Sequence, residues 1–496
     1  MSYDQAQAPR DYGGWRRRRG IGLLGLGAAG TLAALGALLL LIIVAAADAR
    51  AMLYVAPPVL GGVGLGLARA DGEPLALVAL RRARWRYASS RDYTRYRVAV
   101  VAEQSPAYHL PGVLAPLALL DAEDGCGGRY GIVLDRRVGL MTPTLRVIPA
   151  STWLASRADA DAWVANWGGW LASLGYLPAL RWVTVTIDTA PEPGSALSDA
   201  VAAAIDPAAP LAARQIMGQL VEAAPAAAAD VDTWVSITFD PKASPSAPTE
   251  LIDAAAEVGR LLPGLESALG TCGVTVLGRA SPAEIAGAVR TAYDPAARGE
   301  VNRLLARAQA GQPALSWDEA GPVGAEEEPG CYRHDSGISV SWAWSEAPRQ
   351  NVTADVLARL VAPGRYPKRV SLQYRPFGAA EAIRVLEAEV NAAQFREVYR
   401  RRTGRDETAR DSYDQARARQ AAAEEAAGAG VCLVSMYVTV TVASEADLPR
   451  AAAETEAAAE SSRIRLRRMT YSQAVGFAAT LPCGICPPEL ARRMPH

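Results

Sequence analysis

The chain has 496 residues, with 51 Lys and Arg against 52 Asp and Glu and a formal net charge of −1, so no overall field selects a polyanionic partner. Its length allows two or three domains with real cores. The only lysines are Lys242, after Pro241, and Lys368, after Pro367. That excludes a Walker A loop, which needs a lysine behind a glycine to reach the terminal phosphates.

In chain order, the first features are two stretches without charge, Gly20 to Ala47 and Ala51 to Ala68, parted only by Asp48, Ala49 and Arg50. About 20 apolar residues cross a bilayer, so the pattern predicts a transmembrane hairpin over 20–68 behind a tail, 1–19. Arg16, Arg17, Arg18 and Arg19 precede it, and Arg81, Arg82, Arg84 and Arg86 follow it. Cytoplasmic flanks are the Lys/Arg-rich ones, which predicts a cell (inner) membrane protein with both termini cytoplasmic. Gly22, Gly25, Gly27 and Gly30 in the first stretch, and Gly61 and Gly64 in the second, would let helices approach closely. Pro57 and Pro58 should kink the second span. In segment 69–105, Trp85 and Tyr87 interleave with the arginines, a pattern suited to anionic lipid headgroups, with DNA as the other polyanion.

The remainder reads as a cytoplasmic body of about two α+β units, 106–310 and 331–496, joined by a linker, 311–330. Tyr130 to Leu134 and Met141 to Ile148 predict a hairpin around Asp135 to Gly139. Asp159 to Leu174 predicts a helix with Trp163, Trp167, Trp170 and Leu174 on one face. Strands follow at Arg181 to Asp188 and Val231 to Phe239. Next come a helix over Thr249 to Gly270 with a break at Pro263, a strand over Gly273 to Leu277, and helices over Pro282 to Thr291 and Ala297 to Ala310. In the second unit, strands are expected at Ile338 to Trp344, Lys368 to Tyr374, Val431 to Val442 and Ile464 to Met469. Helices are expected at Thr353 to Val361, Leu448 to Ser461 and Ser472 to Leu481. Arg400 to Ala427 reads as an exposed helical arm laced with ion pairs. Alternating strands and helices without a Rossmann fingerprint favour sheets covered on one face.

The residues with chemical potential are sparse. Six cysteines are scattered, and Cys483-Gly-Ile-Cys486 lacks the second pair or the histidines a zinc site needs. GxGxxG occurs at Gly20, Gly22 and Gly25, and again at Gly25, Gly27 and Gly30, within the apolar stretch. The histidines, His109, His334 and His496, are far apart, which disfavours a triad. Asp121, Glu123, Asp124 and Asp135 read as turn-forming acids. No catalytic, cofactor or metal residue is assigned.

The apolar pair, the turn Asp71-Gly72-Glu73-Pro74-Leu75 and the Arg/Trp/Tyr segment to Arg97 resemble the PrgI-like subunits of type IV secretion and conjugation systems. Gly128-Arg-Tyr-Gly-Ile-Val133, Val431 to Val442 and Phe477-Ala-Ala-Thr-Leu-Pro482 resemble the non-motor N-terminal half of conjugation ATPases. With Tyr12-Gly13-Gly14-Trp15-Arg16 and Trp163-Val-Ala-Asn-Trp167, the whole chain resembles an actinobacterial family of integral membrane proteins of conjugative elements. The resemblance implies a membrane-anchored, non-enzymatic scaffold that docks a separate motor ATPase. It also implies other inner-membrane secretion subunits as partners and an oligomeric assembly. A type VII secretion subunit and a DNA-guiding conjugation subunit are the alternatives.

Overall fold

The computed structural model describes residues 28–70, 73–98, 109–123, 128–151, 155–191, 201–202, 204–223, 229–309, 312, 315–348, 350–378, 380–387 and 430–493. They fall into two compact units. One holds 14–94 with 379–429; the other holds 1–13, 95–378 and 430–496.

In the smaller unit, α1 (Ala28–Ala47) packs on α2 (Ala49–Leu67), whose N-cap Asp48 accepts from the Arg50 amide. Two-residue strands β1 (Arg69–Ala70) and β2 (Glu73–Pro74) pair ahead of α3 (Leu75–Ser90). Among the described residues no helix is long and apolar enough to cross a membrane. This corrects the expected transmembrane hairpin over 20–68, and with it the inner-membrane location and the topology with both termini cytoplasmic. Alanine, glycine and threonine interrupt α1, and its unbroken run of large aliphatics is only Leu38 to Val44, roughly 10 Å at 1.5 Å per residue. Arg50 lies inside α2, and Pro57 and Pro58 interrupt its hydrogen bonding. Residues 20–27 of the expected first span, the arginines Arg16 to Arg19, Gly22, Gly25 and Gly27 lie outside the described residues, as does the whole expected helical arm, Arg400 to Ala427.

The larger unit is built on one antiparallel sheet. Its strands are β3 (Arg95–Arg97), β4 (Leu117–Glu123), β5 (Arg129–Asp135), β6 (Leu140–Pro149), β7 (Leu180–Pro191), β8 (Ala229–Phe239), β9 (Val274–Arg279), β10 (Gly324–Glu327), β11 (Tyr332–His334), β12 (Gly337–Glu346), β13 (Lys368–Pro376), β14 (Cys432–Val442) and β15 (Arg465–Arg468). Between them lie α4 (Arg157–Leu174), α5 (Leu211–Ala223), α6 (Leu251–Gly270), α7 (Pro282–Tyr293), α8 (Arg298–Gln309), α9 (Ala358–Val361), α10 (Leu448–Ser461), α11 (Gln473–Ala479) and α12 (Pro487–Arg493). The strand order is β3-β10-β11-β12-β14-β13-β7-β8-β6-β5-β4, with β15 also on β12 and β9 also on β6. The two expected units therefore share one sheet.

From β10 to β4 that order is a palindrome, because the second half of the unit repeats the first. The strands β4 to β9 correspond in turn to β10 to β15, and β7 pairs antiparallel with its own counterpart β13. Equivalent bonds recur. The Ala280 amide donates to Thr144 O, and the Met469 amide donates to Ser341 O. Hydroxyl pairs Thr142–Thr238 and Thr144–Ser236 across β6 and β8 match Ser339–Thr441 and Ser341–Thr439 across β12 and β14. Arg279 pairs with Glu266 on α6, and its counterpart Arg468 pairs with Glu456 on α10. Gly273 and Arg463, each just ahead of the short strand, both have positive φ, 72° and 56°.

Alternation along the strands separates two faces. On one, Ile132, Leu145, Val183, Val235 and Ile237 pack under Trp170, Leu174, Val258 and Leu262 of α4 and α6. In the second half, Val340, Trp342, Val438 and Val440 meet α9 and α10. The helix α6 continues through Pro263, the expected break. The opposite face is covered as well, by α7, α11 and the segment after α11, where Ile285, Val289, Phe477 and Leu481 share a core with Val133 and Trp234. Covering both faces corrects the expectation of one.

Candidate functional site

The arginine-rich candidate lies on α3. Its half-buried stripe is Leu75, Val78, Arg81, Trp85 and Ala88, and burial lowers the pKa of Arg81. Arg82, Arg84 and Arg86 are exposed with Tyr87, over whose ring Arg91 sits at 5.3 Å. There is no acidic residue in this helix. Gly61 and Gly64 on α2 have open space where a Cβ would stand, and Gly30 on α1 is half-buried.

The densest polar cluster in the larger unit is one that sequence reasoning did not assign. It runs across the sheet face beneath α11. At its centre Thr186 and Ser371 share a hydrogen bond of 2.5 Å. On one side Asp188 stands opposite Arg369 in the β7–β13 register; on the other, Thr184 stands opposite Gln373. Arg298, at the start of α8, reaches Asp188 at 3.1 Å and Asp230 at 3.9 Å. Burial opposes the Arg298 charge, but Asp188, Asp232 and Asp230 more than offset it and its pKa is raised. Arg369 is 3% exposed. Its guanidinium lies 4.8 Å from the Phe477 ring centre and donates from Nε to Thr480 Oγ1. Burial lowers its pKa, with Asp188 acting against that.

His334 on β11 belongs to the same face. Its Nδ1 lies 2.5 Å from the Tyr293 carbonyl and its Nε2 2.8 Å from Ser339 Oγ. A carbonyl only accepts, so Nδ1 carries the proton and Nε2 accepts from the hydroxyl. Burial brings the His334 pKa down to about 4, and the ring is neutral.

The C-terminal segment closes this face with its backbone carbonyls and the Gln473 side chain. Gln473 accepts from the Ser341 amide at 2.7 Å, and Gln373 Nε2 donates to the Ile485 carbonyl at 2.8 Å. Thr144 donates to the Pro482 carbonyl. Glu327 accepts from the Ala474 amide at the start of α11. Gly484, at φ 71°, presses between Thr142 and Thr238. Cys483 and Cys486 are buried on either side, and burial pushes both thiols up to about 12. They stay protonated at neutral pH, and reactive thiolate chemistry needs the opposite shift. The cavity beside them, lined by Asp135, Thr142, Trp182 and Glu489 among others, has about 20 Å³, room for roughly one water.

No protein-family model matches the chain, and no curated protein matches it. The site therefore rests on its own geometry. Among the described residues, no group of three His, Cys, Asp or Glu side chains could hold a metal ion. The polar face was hidden in the sequence because its members are single alternate residues on separated strands. The available signal was the period-two Ser/Thr pattern, as in Thr184, Thr186 and Asp188 or Thr439 and Thr441.

Proposed function

We propose that this chain is a non-catalytic adaptor that docks a separate motor ATPase of a conjugation-type secretion machine. The observation that supports its non-catalytic part is the closed polar face; the motor partner rests on the resemblance of Gly128 to Val133, Val431 to Val442 and Phe477 to Pro482 to conjugation ATPases. Asp188, Arg298, Arg369 and His334 each bond to their own chain, with Asp188 Oδ1 and Arg369 Nη2 left without a hydrogen-bond partner among the described residues, and the segment from Gln473 to Cys486 spans them. Groups held in this way organise a fold; a substrate would have to displace the strap to reach them. Partner surfaces remain at the sheet edges and on α3. The reading predicts co-purification with a P-loop ATPase encoded nearby. ATP hydrolysis by the pure protein, or a partnerless protein with no neighbouring ATPase gene, overturns it.

A second reading is favoured by α3 alone. Arg82, Arg84 and Arg86 are exposed on a helix without acids, which suits the phosphates of DNA and a subunit that guides it. Binding should then weaken steeply with salt and fall on changing the three arginines to alanine. Equal binding to anionic vesicles would assign these arginines to anionic lipid instead.

A further inference from the structure

We infer that the outer edge of β4 accepts an extended basic segment of a partner protein as an added antiparallel strand. β4 ends the strand path. Pro116 O accepts from the Arg136 amide on the β5 side, whereas Leu117 O accepts from Trp317 Nε1 on the opposite side. Alternate residues point the same way, so Leu119 and Asp121 turn their N–H and C=O groups outward. Neither backbone meets a partner there among the described residues. Unpaired edges of this kind are templates for strand addition.

The other half of the same sheet shows what chemistry the slot takes. There the edge strand is β10, the counterpart of β4, and β3 adds to it antiparallel, with Ala325 opposite Tyr96 and Glu326 opposite Arg95. Arg95 pairs with Glu326 at 2.8 Å. Thus an Arg-Tyr-Arg strand sits on an acidic edge. β4 carries Asp121 and Glu123, both exposed and on one face of the strand, with Arg129 of β5 as the only partner seen among the described residues, at Asp121. Two arginines separated by one residue would stand opposite these acids. A second copy of β4 fits poorly: an antiparallel pair centred on Asp121 sets that carboxylate against its own copy, and like charges directly opposite are destabilising. The inference is independent of whether the partner is a motor.

The test uses the full chain and a synthetic peptide of its residues 92–100, which contains Arg95-Tyr96-Arg97, with amide hydrogen exchange as the readout. At about 10 mM peptide, roughly ten times the dissociation constant of about 1 mM expected for a short strand, exchange at Leu119 and Asp121 should slow about tenfold. The effect should disappear in Asp121→Asn/Glu123→Gln, which removes both charges without setting a cation opposite Arg129. A peptide with both arginines replaced by glutamate should give none. Three outcomes overturn the inference. One is no protection with the basic peptide. Another is equal protection by the acidic one. The third is protection without peptide: if it grows with protein concentration a second copy takes the edge, and if it does not the chain itself covers it.

Discussion

Thr186 Oγ1 and Ser371 Oγ, 2.5 Å apart, are each other's counterparts in the repeated fold and mark the axis that relates its halves. Around this point Asp188 corresponds to Gln373, and Thr184 to Arg369. The segment after α7 sends Arg298 to Asp188, and the segment after α11 sends a carbonyl to Gln373. Removing one hydroxyl, in Thr186→Val or Ser371→Ala, leaves the other buried and unpaired and should cost about 1–3 kcal/mol. The double variant should recover part of that loss. A double-mutant cycle by urea denaturation checks it; additive costs would show that the pair is not coupled.

Gly484→Ala should destabilise strongly. The added Cβ meets Thr142 Oγ1 and Thr238 Oγ1, and φ is 71°. Strain and overpacking together should cost about 2–4 kcal/mol, visible as a lower denaturation midpoint with protection lost from Gln473 to Cys486. An unchanged midpoint would mean the strap is not seated on these hydroxyls.

The repeat supplies its own control for ion-pair strength. Arg279–Glu266 is largely buried, at 13% and 22% exposure, while Arg468–Glu456 is 45% exposed at each end. Water screens the second pair, so Arg468→Ala should cost less than about 1 kcal/mol. Arg279→Ala should cost about 2–3 kcal/mol; each arginine also lies over a ring, Arg279 over Tyr130 at 5.0 Å and Arg468 over Trp342 at 5.6 Å, so burial is what separates the two. Equal losses would refute the burial argument.

Stability should fall in mild acid through His334. Its folded pKa is about 4, below the ordinary value of about 6.5, so the unfolded chain binds the proton first. The stabilisation is complete above about pH 6.5 and is lost progressively as pH falls toward about 4, by about 3 kcal/mol in all. His334→Gln should flatten that part of the stability profile, measured by urea denaturation between pH 4 and 7. An identical slope in the variant would assign the acid sensitivity elsewhere.

Individual elements were legible where a periodic pattern met a turn signal. The strands around Asp135 to Gly139 and the tryptophan-bearing helix ending at Leu174 lie where alternation and 3.6-residue spacing put them. The helix through Pro263 persists because its buried stripe, Val258, Leu262, Leu265 and Leu269, outweighs one lost hydrogen bond. The apolar N-terminal stretches misled because composition counted alanine and glycine with leucine. The repeat was invisible because its halves keep bonding roles and change residues: threonine at 184 becomes arginine at 369. The strand Gly324–Glu327, within the stretch read as linker, has glycine and two glutamates among its four residues; pairing with β3 and β11 creates it, and local propensity does not.

The β7–β13 seam also sets a hazard during synthesis. Everything that builds the first half, through α8, leaves the ribosome before Lys368 to Pro376 exist. At ~5–20 residues per second, the long β7 flank stays bare for several seconds, offering its hydrogen-bonding groups to any neighbouring nascent chain. A fragment ending near residue 310 would make that exposure permanent. The second half therefore serves as a built-in guard against aggregation for the first.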